Sequence, residues 1–146
     1  SERTKKAPIP GIMAKKIKTI AFDLGGVVFL TNNDTNIFSE NYLETPLNPD
    51  ILHLIDELRK DKNNKLIIIS KAFPNNARKS KEILKMYRID DYFNSIIFCE
   101  RKEDKAKIAE AMRVDIMIDD REDVLQNFPE SIRTILYKQG DDIKII

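Results

Sequence analysis

Only one cysteine, Cys99, occurs in the 146 residues. That excludes an intramolecular disulfide framework and a Cys-based zinc site, and it suits a reducing, cytoplasmic interior. Long hydrophobic runs are also missing. The longest, such as residues 27–30 and 66–69, are four residues, against the roughly twenty that a membrane-crossing helix needs. No membrane association is expected. Nor is there an excess of charge of one sign: 25 Lys and Arg face 24 Asp and Glu, a formal net charge of +1. The strongly basic footprint of a dedicated nucleic-acid binder is therefore absent. The single histidine, His53, sits between Leu52 and Leu54 in a helical pattern, which reads as helix surface or packing. Glycine is scarce too, and of the 4 present only Gly25 and Gly26 lie inside the patterned body of the chain.

What is present is globular. A chain that is 42% hydrophobic and 34% charged can bury one core beneath a heavily solvated exterior. Residues 1–12 mix charge with Pro8, Pro10 and Gly11 and offer no stretch long enough for a signal peptide. They read as an expression leader or a disordered tail, with Met13 as the natural start and residues 13–146 as one domain.

Strand-like apolar runs lie at residues 17–22, 66–69, 96–99, 116–118 and 132–137. Runs that are apolar throughout suit strands buried on both faces of a parallel sheet. Helical patterns fall between them. Asn48-Pro49 reads as a cap and first helical residue, after which Ile51, Leu52, Ile55 and Leu58 recur at helical spacing towards Lys60. Residues 77–87, 104–112 and 121–128 complete the alternation. Five strands alternating with helices imply right-handed crossovers and a doubly wound α/β sheet. Residues 138–146 form a polar turn and a short apolar tail.

Ligands of open parallel sheets collect at the carboxyl ends of the strands. Three such ends carry polar groups: Asp23, Ser70 and the pair Asp119-Asp120. Gly25-Gly26 directly follows Asp23-Leu24, and a sharp turn around a bound ion or phosphate needs the freedom that glycine gives. The pair Asp119-Asp120 also suits the first turn of the helix that follows it.

Together these residues resemble the haloacid dehalogenase (HAD) superfamily. Residues 17–28, Ile-Lys-Thr-Ile-Ala-Phe-Asp-Leu-Gly-Gly-Val-Val, are similar to its first motif. Ser70 resembles the second, a lysine ahead of strand four the third, and Ile-Met-Ile-Asp-Asp-Arg at residues 116–121 the fourth. The resemblance implies a Rossmann-like sheet of order 3-2-1-4-5 with helices on both faces, which brings Asp23 beside Asp119 and Asp120. Three converging carboxylates repel unless a cation sits among them, and hard oxygen ligands open to phosphate suit Mg²⁺. Asp23 would be nucleophile and metal ligand, forming an aspartyl-phosphate. The Gly25 carbonyl and Asp120 would ligate the metal, with Asp119 acting through water or orienting the site. Ser70 would hydrogen-bond a phosphoryl oxygen, and Gly25, Gly26 and Lys71 would line the substrate site. Lys105, 14 residues before Asp119, is preferred over Lys102 as the lysine that neutralises developing charge. Lys71 with Arg78 could receive a second anionic group.

Two departures from the family pattern matter. Most HAD phosphatases carry a second aspartate two residues after the nucleophile as general acid, and here that position is Gly25. Positioned acid–base catalysis contributes roughly 10²–10⁴-fold, so the substrate would need a good leaving group or a proton from elsewhere. The chain also has no room for a cap domain. An open site favours a large substrate, or shielding by a neighbouring subunit of a homo-oligomer, and the turn at Asn32, Asn33 and Asp34 could form a hairpin over the mouth. The expected function is a Mg²⁺-dependent phosphohydrolase acting on a phosphorylated small molecule or on an exposed phosphate of a larger one. The alternative is a phosphate- or protein-binding module without turnover. A phosphoacceptor receiver domain fits less well, because there the acidic pair comes early and the acceptor aspartate later.

Overall fold

Five parallel strands form where the apolar runs lie. In the computed structural model, which describes residues 17–145, they are β1 (Lys18–Phe22), β2 (Asn64–Lys71), β3 (Ser95–Cys99), β4 (Ile116–Asp119) and β5 (Arg133–Leu136). Residues 1–12 and Met13, expected as leader and natural start, lie outside the described residues. The sheet order is β3-β2-β1-β4-β5, and every pairing is parallel. This is the order that the resemblance implied.

Successive side chains on the central strands point to opposite faces and fill two cores. Ile20, Phe22, Leu66, Ile68, Ile116 and Ile118 pack against α1 (Pro49–Arg59) and α2 (Pro74–Met86). Ala21, Ile67, Ile69 and Met117 pack on the other face against α3 (Asp104–Ala111) and the short α4 (Glu122–Leu125). Burial on both faces explains why these strands read as continuous apolar runs. The edge strands depart from that expectation. β3 is only half-buried and β5 is largely exposed, because each has the sheet on one side only and the helices cover the middle. Cys99, expected as a buried strand residue, is correspondingly half-buried at the end of β3.

Local chemistry sets the helix starts. Asn48 Oδ1 accepts from the Asp50 N–H at 3.1 Å, and Pro49 takes the first helical position. The same buried Asn48 donates to the Val27 carbonyl at 3.0 Å and to Tyr137 Oη at 2.9 Å. One side chain thus ties together the loop after β1, the start of α1 and the end of β5. α2 begins at Pro74, three residues before the expected 77, because proline is pre-set for a first turn. α4 holds four residues where residues 121–128 were expected to be helical.

The segment between β1 and α1 is not the hairpin that its sequence suggested. Only isolated bridges join Gly25 to Phe29 and Phe29 to Leu47. Beyond them Asn32 Oδ1 accepts from the Asp34 and Thr35 N–H groups at 2.8 and 2.7 Å, and Asn36 Nδ2 donates to the Asn32 carbonyl at 2.8 Å. Asparagine turns of this kind satisfy the backbone locally and displace a ladder. The segment then docks on α2, where Tyr42 Oη donates to Glu82 Oε1 at 2.5 Å and Tyr87 Oη donates to the Thr45 carbonyl at 2.7 Å.

Candidate active site

The register brings the acidic residues together. Phe22 pairs with Ile118 across β1 and β4, and the Asp23 N–H donates to the Ile118 carbonyl at 3.0 Å. Asp23 therefore leaves β1 level with Asp119 at the end of β4. This is the switch point of the sheet, where β2 and β4 flank β1 and the chain connections run in opposite directions.

Lys105 lies in the first turn of α3 and is buried. Its ammonium donates to Asp23 Oδ1 at 3.0 Å and to Asp119 Oδ2 at 2.8 Å. Burial works against this charge, but the two carboxylates outweigh it and raise the lysine pKa. Lys102 goes elsewhere: its Nζ donates to Asp123 Oδ2 at 2.9 Å. Arg121 forks onto the same carboxylate at 3.1 and 2.7 Å, and these hydrogen bonds hold Asp123 at about 2.

Asp23, Asp119 and Asp120 each offer an oxygen within 4.8 Å of the others, a grouping able to hold a metal ion. Asp23 and Asp119 are buried and Asp120 is exposed. Fully ionised, three carboxylates and one ammonium leave two negative charges, which a divalent cation would neutralise. The donor set is all hard oxygen and fits Mg²⁺. With protein groups alone, Asp23 is pushed up to about 8, first by burial and then by Asp119 and Asp120, with Lys105 pulling the other way. Partial desolvation of its carboxyl also raises Asp120, although the residue as a whole is exposed. Asp119 is fully engaged, since its Oδ1 also accepts the Arg121 N–H at 3.1 Å.

A cavity of about 620 Å³ opens beside this cluster, and Asp23, Gly25, Ser70, Lys71, Lys105 and Asp120 all line it. Asp119 and Gly26 are not among its lining residues. Gly26 stands behind Asp120: its φ is +80°, and a Cβ there would lie 2.8 Å from Asp120 Cγ and overlap the carboxylate. Its need for glycine is thus the close approach of Asp120. Gly25 is different, because a Cβ there would meet only Thr31 Cγ2, at 4.0 Å. Arg78 does not join Lys71. It is held by Glu82 at 3.1 Å and Asn75 at 2.8 Å and lines a separate depression. A larger hollow of about 740 Å³ between α1 and residues 140–145 includes the exposed His53, but it lies apart from the carboxylate group.

The sequence reading missed several wall residues. Ser80 of α2 is buried and lines the cavity. Phe38 and Phe73 line it from opposite parts of the chain. No motif marks these three. The one available signal is the position of Phe73 immediately before a helix, where a capping side chain is usual.

No family model matches the sequence, and no curated protein matches it. Solved structures do match in fold. A chain of the Pnkp1/Rnl/Hen1 complex superposes with a TM-score of 0.68 at 16% identity, over 89% of this chain and 49% of that one. A chain of the Pnkp1/Rnl/Hen1 RNA repair complex gives 0.65 at 17% identity, over 93% and 48%. An uncharacterized protein from Listeria monocytogenes serotype 4b gives 0.53 at 17% identity, over 70% and 67%. The chain therefore spans about half the length of the first two. At these identities the likeness is one of fold.

Proposed function

We propose that the chain is a Mg²⁺-dependent phosphohydrolase of the HAD superfamily that works through an aspartyl-phosphate on Asp23. The observation that carries this reading is Lys105, buried between Asp23 and Asp119 where three carboxylates able to hold a cation meet an open cavity. Asp23, Asp120 and the Gly25 carbonyl would hold the ion, and Asp119 would orient Lys105 and the loop at Arg121. The ion, when bound, would offset the carboxylate charge and draw electron density from a phosphoryl oxygen.

Lys105 fixes Asp23 through Oδ1 and adds positive charge beside the phosphoryl oxygens. An Asp23 oxygen attacks phosphorus, and the bond from phosphorus to the leaving oxygen breaks as the new one forms. Ser70, buried on the cavity wall, hydrogen-bonds a phosphoryl oxygen. Gly25 supplies no acid, so the leaving oxygen departs as an anion or takes its proton from water. Water then attacks phosphorus, the bond to Asp23 breaks, and phosphate leaves with the carboxylate restored. Acyl and aryl phosphates suit this site best, because their leaving groups need little protonation. The cavity is open enough for a phosphate on a larger molecule, and the RNA repair complex among the fold neighbours supports including polynucleotide ends.

The test is phosphate release from acyl, aryl, sugar and nucleoside phosphates, with and without Mg²⁺, by the wild type and Asp23→Asn. Metal-dependent release that Asp23→Asn loses is the expected result. A folded protein that binds Mg²⁺ and releases phosphate from no substrate would instead support a binding module, which the missing acid at Gly25 favours.

A further inference from the structure

Phenylalanine is placed unevenly in this molecule. Of 7 phenylalanines, Phe22, Phe29 and Phe93 are buried and Phe98 and Phe128 are half-buried. The two exposed ones, Phe38 at 80% and Phe73 at 58%, both line the cavity beside the carboxylate cluster. They come from separate segments, the asparagine-turned loop and the residue before α2. Both positions leave more than half of the residue in water. Phe38 is almost wholly in water, and Phe73 occupies a helix cap without capping it. Two aromatic faces left uncovered at one cavity are a stacking surface.

The polar groups around them fit a planar, hydrogen-bonding ligand. Asn33 and Asn76 line the same cavity, and neither side-chain amide is among the hydrogen bonds of the described residues. A free amide offers a donor and an acceptor together, the pattern found on the edge of a nucleobase. Ser80 adds a hydroxyl and Lys71 an ammonium, both on the cavity wall. Asn32 and Asn36 are occupied in shaping the loop.

We infer that the cavity holds the base of a phosphorylated nucleoside against Phe38 and Phe73. This rests on the phosphohydrolase reading for the fate of the phosphate, but the base site stands on its own residues. A net charge of +1 gives little track for a phosphate backbone, so recognition falls on the base rather than the strand. The nucleoside could arrive as a free mononucleotide or as the phosphorylated end of a strand.

The test reads the base site without any turnover. Binding of adenosine and of ribose to the full chain is followed by ligand-observed NMR, for the wild type, Phe38→Ala, Phe73→Ala and the double alanine variant. Adenosine should bind where ribose does not, and each alanine should weaken it roughly 5- to 150-fold, the range for a lost base–aromatic stack. Phe38→Tyr and Phe73→Tyr keep a ring and should retain binding, which separates stacking from a folding defect. Adenosine binding no better than ribose, or unchanged in the double alanine variant, would overturn the inference. A second arm compares phosphate release from ribose 5-phosphate, AMP and a 5′-phosphorylated tetranucleotide with Mg²⁺ present. Faster release from the tetranucleotide than from AMP identifies a strand end as the source, and equal rates identify the free nucleotide. Adenosine binding without phosphate release from any of the three would keep the base site and remove the phosphohydrolase. Release from ribose 5-phosphate without adenosine binding would do the reverse.

Discussion

Asp23→Asn should stabilise the metal-free fold while removing the proposed activity. Burial is the main reason that the Asp23 carboxyl, ordinarily at 3.8, is pushed up to about 8, with Lys105 opposing the rise and Asp119 and Asp120 adding to it. In the unfolded chain the group ionises near its ordinary value. Between the two pH values the folded state binds more protons than the unfolded state, so this group's contribution is full below about 4 and is lost as pH rises through about 8. At about 1.4 kcal/mol per pH unit the interval sets a ceiling of about 6 kcal/mol, and the proton is shared with the neighbouring carboxylates, so the measured loss is smaller. Asparagine keeps the shape and removes the charge, and Lys105 retains its 2.8 Å bond to Asp119. For a chain this size each kcal/mol moves Tm by roughly 2–4 °C. Thermal unfolding in chelator should therefore show Asp23→Asn melting several degrees above wild type at pH 8, with the gap closing towards pH 4. Mg²⁺ should raise the wild-type Tm at pH 8 and leave the variant little changed. The difference between the two proteins isolates Asp23 from other titrating groups. A variant less stable than wild type at pH 8, or a gap that does not change with pH, would refute the reasoning.

Gly26→Ala forces a methyl into the Asp120 carboxylate at a φ of +80°, a backbone strain of about 1–3 kcal/mol. It should weaken Mg²⁺ binding, measured by calorimetry, far more than Gly25→Ala, and equal effects would count against the placement of Asp120. Gly25→Asp fits, because a Cβ there meets only Thr31 Cγ2 at 4.0 Å. A carboxylic acid at that position should raise kcat/KM on alkyl phosphates by up to about 10²-fold and aryl phosphates much less, and an equal change on both would argue against a missing acid. Asn48→Ala removes the α1 cap and two buried hydrogen bonds, and denaturant melts should show a loss of about 2–4 kcal/mol. A loss under about 1 kcal/mol would show that water replaces those bonds.

The strand-end carboxylates are legible because a buried strand is a short apolar run, and the first polar residue after it lands at the carboxyl end of the sheet. Asp23, Ser70 and Asp119 all follow this rule. The convergence of Asp23 with Asp119 is not contained in periodicity, since strand order is a tertiary property; here it came from the family resemblance. The sequence favours Lys105 over Lys102 only by spacing, and the two separate clearly in space, where Asp123, which also holds Arg121, engages Lys102. Gly26 reads as turn permission, but its reason is a neighbour ninety-four positions away, Asp120. The loop around Asn32 is illegible for a related reason. Its path is set by asparagine side chains bonding to nearby backbone, which competes evenly with a hairpin. Phe38, Phe73 and Ser80 carry no motif, and only the fold shows that they share one cavity.

The most direct measurement is chemical trapping of the intermediate. Wild-type protein turning over an aryl or acyl phosphate with Mg²⁺ is quenched within milliseconds, reduced with borohydride, digested and sequenced by mass spectrometry. Reduction of an aspartyl-phosphate converts that aspartate to homoserine, and the account predicts the change at position 23 and nowhere else. Homoserine at another aspartate, or steady phosphate release with Asp23 unmodified at every quench time, would contradict it.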